Sequence, residues 1–260
     1  MKKVLTIAGS DCSGGAGIQA DIKTITTHKM YAMSVITAIV AENTTGVYDL
    51  QEVCPASVAQ QLDCVFQDIR PDAVKIGMVV NIEIIEIIAQ KLLQYQAPHI
   101  VLDPVMVAAS GGRLFIDSAT QTLIERLFPL AQVITPNIPE AEALTGFGPI
   151  TEPQQMRYAA ELLAPKVGGG VIIKGGHLSQ SADDLLWVDG QAIWYPSPRV
   201  DNPNNHGSGC TFSSAIACNL AAGYTLQAAV RNAKAYITDA MRAQLNLGSG
   251  SGPLNHCCRL

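Results

Sequence analysis

Short apolar runs alternate along the chain with longer amphipathic stretches. Val4 to Ala8 has the length and character of a parallel strand buried on both faces. A loop of small and polar residues, Gly9 to Gly17, leads into a helix marked by Ile18, Ala20, Ile22 and Ile25. Ser34 to Ala41 reads as the next strand. Pro55 opens a helix with Val58, Leu62, Val65 and Ile69 on one face. Ala73 to Ile76 is a strand, Ile84, Ile85, Ile88 and Leu92 mark a helix, and His99 to Leu102 is a strand ending in Asp103-Pro104. The small residues from Val107 to Arg113 suit a lid.

The alternation continues beyond. Ala119 to Leu127 is helical, Val133-Ile134 is a brief strand before Pro136-Asn137, and helices lie near Glu140 to Leu144 and over Pro153 to Leu163. Gly170 to Lys174 is a strand ending in Gly175-Gly176. Leu185 to Val188 and Ala192 to Tyr195 form an antiparallel hairpin around Asp189-Gly190. Phe212, Ile216 and Leu220 mark a small-residue helix, and a last helix spans about Leu226 to Leu245. No linker interrupts the pattern. We therefore read residues 1–260 as one α/β domain, doubly wound, its mostly parallel sheet covered by helices on both faces.

Composition narrows the function. The formal net charge of -5 and the lack of a basic stretch argue against nucleic acid as a partner. No apolar run reaches membrane-spanning length, so no membrane role is expected. The apolar start is too short for a signal peptide and meets Asp11 at once. Seven cysteines with irregular spacing and no C-x-x-C pair read as reduced thiols of a cytoplasmic protein.

The stretch around which the chemistry gathers is Asn205-His206-Gly207-Ser208-Gly209-Cys210-Thr211, at the mouth of the small-residue helix. Glycines let a ligand approach the backbone, and the first helical turn leaves N–H groups unpaired at the positive end of the helix dipole. That is an anion cradle suited to phosphate. Other polar residues fall at strand ends, where doubly wound sheets bind ligands: Asp11 and Ser13, Glu42 and Asn43, Gly77-Met78, Asp103, Asn137 with Glu140, and Lys174. Asp103, Asn137 and Glu140 offer oxygens for Mg2+, directly or through water, and Lys174 offers a point charge for phosphate. With the 207–210 amides these make a phosphoryl-transfer site. A dinucleotide reading, from Gly15-x-Gly17-x-x-Ala20 with Glu42, fails because Gly15 lies several residues past the strand and the later polar residues go unused. A P-loop is excluded because no Gly-Lys-Ser/Thr follows the glycines.

Seven motifs together resemble one family. They are Gly9 to Asp21, Lys75-Ile-Gly-Met78, Asp103-Pro-Val-Met-Val107, Thr135-Pro-Asn-x-x-Glu140, Lys174-Gly-Gly-His177, His206 to Thr211 and Gly250-Ser-Gly-Pro253. The chain resembles the hydroxymethylpyrimidine/phosphomethylpyrimidine kinases of thiamine biosynthesis, in the ribokinase-like superfamily. The resemblance implies ATP- and Mg2+-dependent phosphorylation of a pyrimidine hydroxymethyl group, commonly followed by phosphorylation of the monophosphate, in a homodimer. It implies that Asp21, Glu42, Met78 and Val107 line the pyrimidine pocket, that Asp103, Asn137 and Glu140 serve metal and phosphates, with Asp103 and Glu140 as the metal ligands, and that Lys174 contacts ATP. Gly207, Ser208, Gly209 and Cys210 become the catalytic anion hole. Many ribokinase-like enzymes carry Asp as general base where this family, and this chain at Cys210, has Cys. Either a thiolate of lowered pKa at the helix N-terminus accepts a proton there, or Cys210 only packs and the backbone amides stabilise the transferring group.

Two positions depart from the family pattern. Glu42 stands where Gln is usual. A carboxylate can only accept hydrogen bonds, so one ring nitrogen loses its donor, at roughly 1–3 kcal/mol if buried. Protonation of Glu42 or of the ring restores the match. Ala109 stands where Lys is common in the lid. The absence of Cys between Val107 and Phe115 favours a pyrimidine over pyridoxal, which with pyridoxine is the alternative acceptor. A non-catalytic ligand sensor is the reading from another class, and the presence of Asp103, Glu140 and Lys174 argues against it.

Overall fold

The computed structural model describes residues 1–79, 81–106, 117–178 and 182–260. Its strands are β1 (Lys3–Asp11), β2 (Tyr31–Asn43), β3 (Gly46–Glu52), β4 (Ala73–Ile76), β5 (Ile100–Leu102), β6 (Val133–Ile134), β7 (Gly170–Ile173), β8 (Asp184–Val188) and β9 (Gln191–Tyr195). The helices are α1 (Gly17–Thr27), α2 (Pro55–Asp68), α3 (Ile82–Gln94), α4 (Asp117–Arg126), α5 (Ile138–Thr145), α6 (Pro153–Leu163), α7 (Ser208–Ala221) and α8 (Leu226–Arg242). The strands form one sheet in the order β3-β2-β1-β4-β5-β6-β7-β8-β9. The strands from β2 to β7 in that order run parallel, and β3, β8 and β9 add antiparallel edges. The chain leaves β1 toward β2 on one side and returns to β4 on the other. The order therefore reverses at β1, and the crevice of a doubly wound sheet lies above that reversal.

The apolar runs are buried on both faces, as their composition predicts. Val4, Val101 and Ile172 pack with α1, α7 and α8, whereas Leu5, Ile7, Leu102, Val171 and Ile173 pack with α2 to α6. The pleat sends successive side chains to opposite cores. Every residue of α7 from Thr211 to Ala221 is buried. Its small side chains let it lie close against the sheet, which fixes the position of its N-terminus.

Some boundaries differ from expectation. β1 runs on to Asp11, and β2 takes in Glu42 and Asn43 rather than ending before them. β3 has no counterpart in the apolar pattern, because none of its residues is buried. The buried face of α2 is Val58, Leu62 and Phe66, while Ile69 caps the helix and is exposed. α8 stops at Arg242, short of Leu245. The 107–113 lid lies outside the described residues.

Candidate active site

The cradle is built from two ends of the chain. Asp11, at the end of β1, accepts from the amides of Ser13 (2.7 Å), Gly14 (3.3 Å), Gly15 (2.8 Å) and Ala16 (2.7 Å). His206 Nε2 lies 2.9 Å from the same carboxylate. Burial alone raises the Asp11 pKa, but these hydrogen bonds outweigh it and hold the group well below the usual carboxylate range. Asp11 thus folds the 13–16 turn and ties it to the loop before α7. Gly207 sits with φ 77° over Gly15, where a Cβ would overlap the Gly15 carbonyl. The Gly250 to Pro253 segment braces the other side. Gly252 donates to Asn204, His206 donates to the Gly252 carbonyl, and Gly250 donates to Thr44. Among the described residues, the amides of Gly207, Gly209 and Cys210 have no acceptor, whereas Ser208 donates to the Asn205 carbonyl. Three free N–H groups and the dipole of a buried 14-residue helix converge there.

Facing the cradle is a charged cluster on the ends of β5, β6 and β7. An isolated parallel bridge joins Asn137 to Lys174. Lys174 Nζ lies 2.8 Å from Asp103 Oδ1 and 3.8 Å from Glu140 Oε2. Burial lowers the Lys174 pKa, but Asp103 and Glu140 more than restore it, so it stays an ammonium. Thr135 also donates to Asp103 Oδ1, at 2.8 Å. Asp103 Oδ2 takes no hydrogen bond among the described residues and points at Gly209, 3.1 Å from where a Cβ would stand. Asn137 and Glu140 form the capping box of α5: Asn137 Oδ1 accepts the Glu140 amide and Glu140 Oε2 accepts the Asn137 amide. Burial, with Asp103 adding and Lys174 opposing, pushes the Glu140 carboxyl up to about 7.

The residues expected to bind Mg2+ fit it in part. Mg2+ is commonly held by one or two carboxylates plus substrate phosphates and waters. Asp103 Oδ2 is free to be such a ligand. The Asn137 oxygen and one Glu140 oxygen are already committed to the cap, so these two residues serve the metal through water more readily than directly.

Beneath the cradle lies a buried ion pair. Lys75 Nζ is 2.8 and 3.0 Å from the Asp21 oxygens, and both side chains are fully buried. Asp21 also accepts from Thr6 (2.5 Å) and Ser214 (2.7 Å), which links α1, β1, β4 and α7. Asp21 was expected to line the acceptor pocket. It is instead 0% exposed, and every contact of its carboxylate is structural. The thiolate reading of Cys210 also changes. Burial pushes its thiol up to about 11, helped by Asp21 and Asp103 and opposed by Lys75. A helix N-terminus does not produce a thiolate here, because the desolvated site disfavours the charged form.

One cavity of about 660 Å³ joins these parts. Glu42, Met78, Asp103, Asn137, Glu140, Lys174 and residues 207–210 all line it. Toward β2 and β3 it is walled by Val40, Val47, Leu50 and Met78, and toward α8 by Val200, Ile237 and Met241. Val107 and Ala109 lie outside the described residues. The sequence puts Asp11 on the rim and His206 in the run before α7, but not their contact, which spans 195 positions and is encoded by no local pattern.

A cavity with amides on one wall and a carboxylate–ammonium pair on the other is suited to moving a phosphoryl group. On this sheet it places the chain among the ribokinase-like small-molecule kinases. The chain belongs to the phosphomethylpyrimidine kinase family, whose model matches residues 11–255. It is 46% identical to the hydroxymethylpyrimidine/phosphomethylpyrimidine kinase of Haemophilus influenzae, over 98% of this chain and 97% of that one. It is 51% identical, over 97% of its own length, to the thiamine biosynthesis bifunctional protein ThiED of Geobacter sulfurreducens, of which it spans 52%. Among solved structures it resembles phosphomethylpyrimidine kinase from Clostridium difficile, with TM-score 0.82 and 44% identity, covering 92% of this chain and 99% of that one. It also resembles an ADP complex of Bacillus subtilis pyridoxal kinase, with TM-score 0.93 and 38% identity, covering 98% and 97%.

Proposed function

We propose that the protein transfers the γ-phosphoryl group of ATP to the hydroxymethyl group of 4-amino-5-hydroxymethyl-2-methylpyrimidine, and to the phosphate of the resulting monophosphate, in thiamine biosynthesis. The observation that carries this reading is the pairing of the Gly207, Gly209 and Cys210 amides with Asp103 and Lys174 across one cavity. The acceptor enters the end walled by Val40, Leu50 and Met78, beside Glu42. The nucleotide enters the end toward α8, where Val200, Ile237 and Met241 suit a purine face.

Each residue then has a defined task. The amides bind the equatorial oxygens of the transferring group, and Lys174 neutralises the phosphate chain. Asp103, through Oδ2, and Glu140, through water, would hold Mg2+, which would supply charge neutralisation for the phosphates. Cys210 contributes its backbone N–H and a neutral thiol. Proton removal from the acceptor hydroxyl need not precede transfer, because the transition state is loose and positioning carries most of the rate. Turnover measured on the pyrimidine, its monophosphate and pyridoxal tests the assignment. The pyrimidine is expected to lead, and pyridoxal alone being turned over would overturn it. Pyridoxal is the second reading, favoured by the likeness to pyridoxal kinases of known structure.

The same reading places the protein in the cytoplasm as a homodimer. The seven free cysteines suit a reducing compartment. No helix among the described residues is long and apolar enough to cross a membrane. The open edge of β3, with Tyr48 68% and neighbouring Ile39 55% exposed, suits a partner copy. Light scattering at micromolar concentration tests the dimer, and a monomer mass would refute it.

A further inference from the structure

Glu42 stands apart from the other polar residues of the cavity. Its side chain is only 14% exposed, and its carboxyl takes no hydrogen bond among the described residues. Its backbone is pinned to the turn after β1, where the Cys12 thiol donates to the Glu42 carbonyl at 3.1 Å. The groups facing it are Asp11 from the end of β1, His206 from the loop before α7, and the Cys12 thiol. Among the described residues, only His206 comes within ion-pair reach, at 4.0 Å, which is too long for a hydrogen bond. His206 Nε2 is already spent on Asp11, at 2.9 Å. Asp11 is fixed as an anion by four amides and that imidazole. Asp11, Glu42 and His206 also have the mutual distances of a metal site. The Asp11 oxygens are saturated by these donors, so the cluster offers a metal little.

We propose that Glu42 acts as a neutral carboxylic acid that presents an O–H and a C=O side by side to the cavity, and so selects an acceptor whose edge carries a ring nitrogen next to an exocyclic amine. A protonated carboxyl has the same donor–acceptor pair as a primary amide. It donates to the ring nitrogen and accepts from the amine. The ionised form offers acceptors alone and repels the ring lone pair. Burial, and then the nearby Asp11 charge, push the Glu42 carboxyl up to about 7, against a smaller pull from His206. Desolvation and a fixed anion both disfavour a second negative charge there. The choice of aminopyrimidine rests on the function proposed above, whereas the protonation state does not.

Two measurements separate the two claims. The first uses the free protein labelled with 13C at the glutamate carboxyl carbon and titrated by NMR, with Glu42→Gln to identify the resonance. Two resonances should titrate near pH 7, those of Glu42 and Glu140, and the one absent from the variant is that of Glu42. If the Glu42 resonance moves with the ordinary carboxylates, the proposal is overturned whatever the substrate. The second follows KM for the aminopyrimidine from pH 6 to 9. The apparent affinity scales with the fraction of competent protein, so wild-type KM should climb roughly tenfold per pH unit above the midpoint. Glu42→Gln should hold KM flat over the range in which the free ring is unprotonated. Equal slopes in both proteins would also overturn the proposal. Failure to phosphorylate any aminopyrimidine would sink the substrate assignment and leave the titration result standing.

Discussion

Replacing Asp21 with Asn tests whether this residue supports the cradle or touches the acceptor. The substitution keeps the shape but removes the counter-charge of Lys75, which lies 2.8 Å away with both partners fully buried. Burial alone would lower the Lys75 pKa, and Asp21 more than reverses this, so the raised folded value stabilises the protein at every pH below the ordinary lysine range. Without Asp21 the ammonium must stay buried unpaired or lose its proton. Deprotonation at pH 7 from an ordinary value of about 10.4 spans about 3.4 pH units at about 1.36 kcal/mol each, a ceiling near 5 kcal/mol. Breaking one side of a buried pair typically costs about 3–5 kcal/mol, which agrees. The asparagine would also weaken the acceptance of Thr6 and Ser214, so α7 loses a tie to the sheet. Urea unfolding should therefore show a loss of about 3–5 kcal/mol for Asp21→Asn and a similar loss for Lys75→Met. Asp21→Asn/Lys75→Met should recover much of it, because no charge is then left unpaired. If Asp21→Asn unfolds at the wild-type midpoint yet raises the acceptor KM, Asp21 belongs to the pocket and the structural assignment is wrong.

Three further substitutions probe the site. Gly209→Ala puts a methyl 3.1 Å from Asp103 Oδ2 and 3.2 Å from Lys174 Nζ at an unstrained backbone position, so kcat should fall on the order of 100-fold with little loss of stability; unchanged kcat would show that the gap between cradle and pair is not where the phosphoryl group passes. Gly207→Ala combines φ 77° with overlap of the Gly15 carbonyl. It should destabilise by more than the ~1 kcal/mol of the left-handed conformation alone, read by chemical denaturation. Cys210→Ala should keep turnover within about tenfold and leave the pH–rate profile unmoved between pH 6 and 9, since a thiol titrating at about 11 supplies no base there; loss of a basic limb in the variant would restore the thiol to a proton-transfer role.

Much of this was legible in the chain. Apolar runs such as Val4 to Ala8 announce strands buried on both faces, and the small residues of 212–221 announce a helix that lies close to others. The strand ends then predict the rim, and Asp103, Lys174 and the 207–210 amides do meet on it. What stayed hidden depends on distance along the chain or on solvent. No residue of β3 is buried and only Val47 and Leu50 pack partly against the core, so no clear alternation marks it. Asp11 reads locally as a turn residue, and only the fold brings His206 to it. Asp21 is polar and close in sequence to the glycine loop, which suggests a ligand. Its partner Lys75 is a charge in an otherwise apolar strand, and that anomaly was the available sign of a buried pair.

The central claim is that the free amides before α7 receive the moving phosphoryl group while Asp103 and Lys174 face it. A crystal structure with ADP, Mg2+, aluminium fluoride and the aminopyrimidine alcohol measures this directly. The account predicts fluoride or oxygen atoms of the mimic within hydrogen-bond distance of the Gly207, Gly209 and Cys210 amides, with the acceptor hydroxyl in line on the Glu42 side. A mimic bound elsewhere in the cavity, with those amides facing only water, would contradict it.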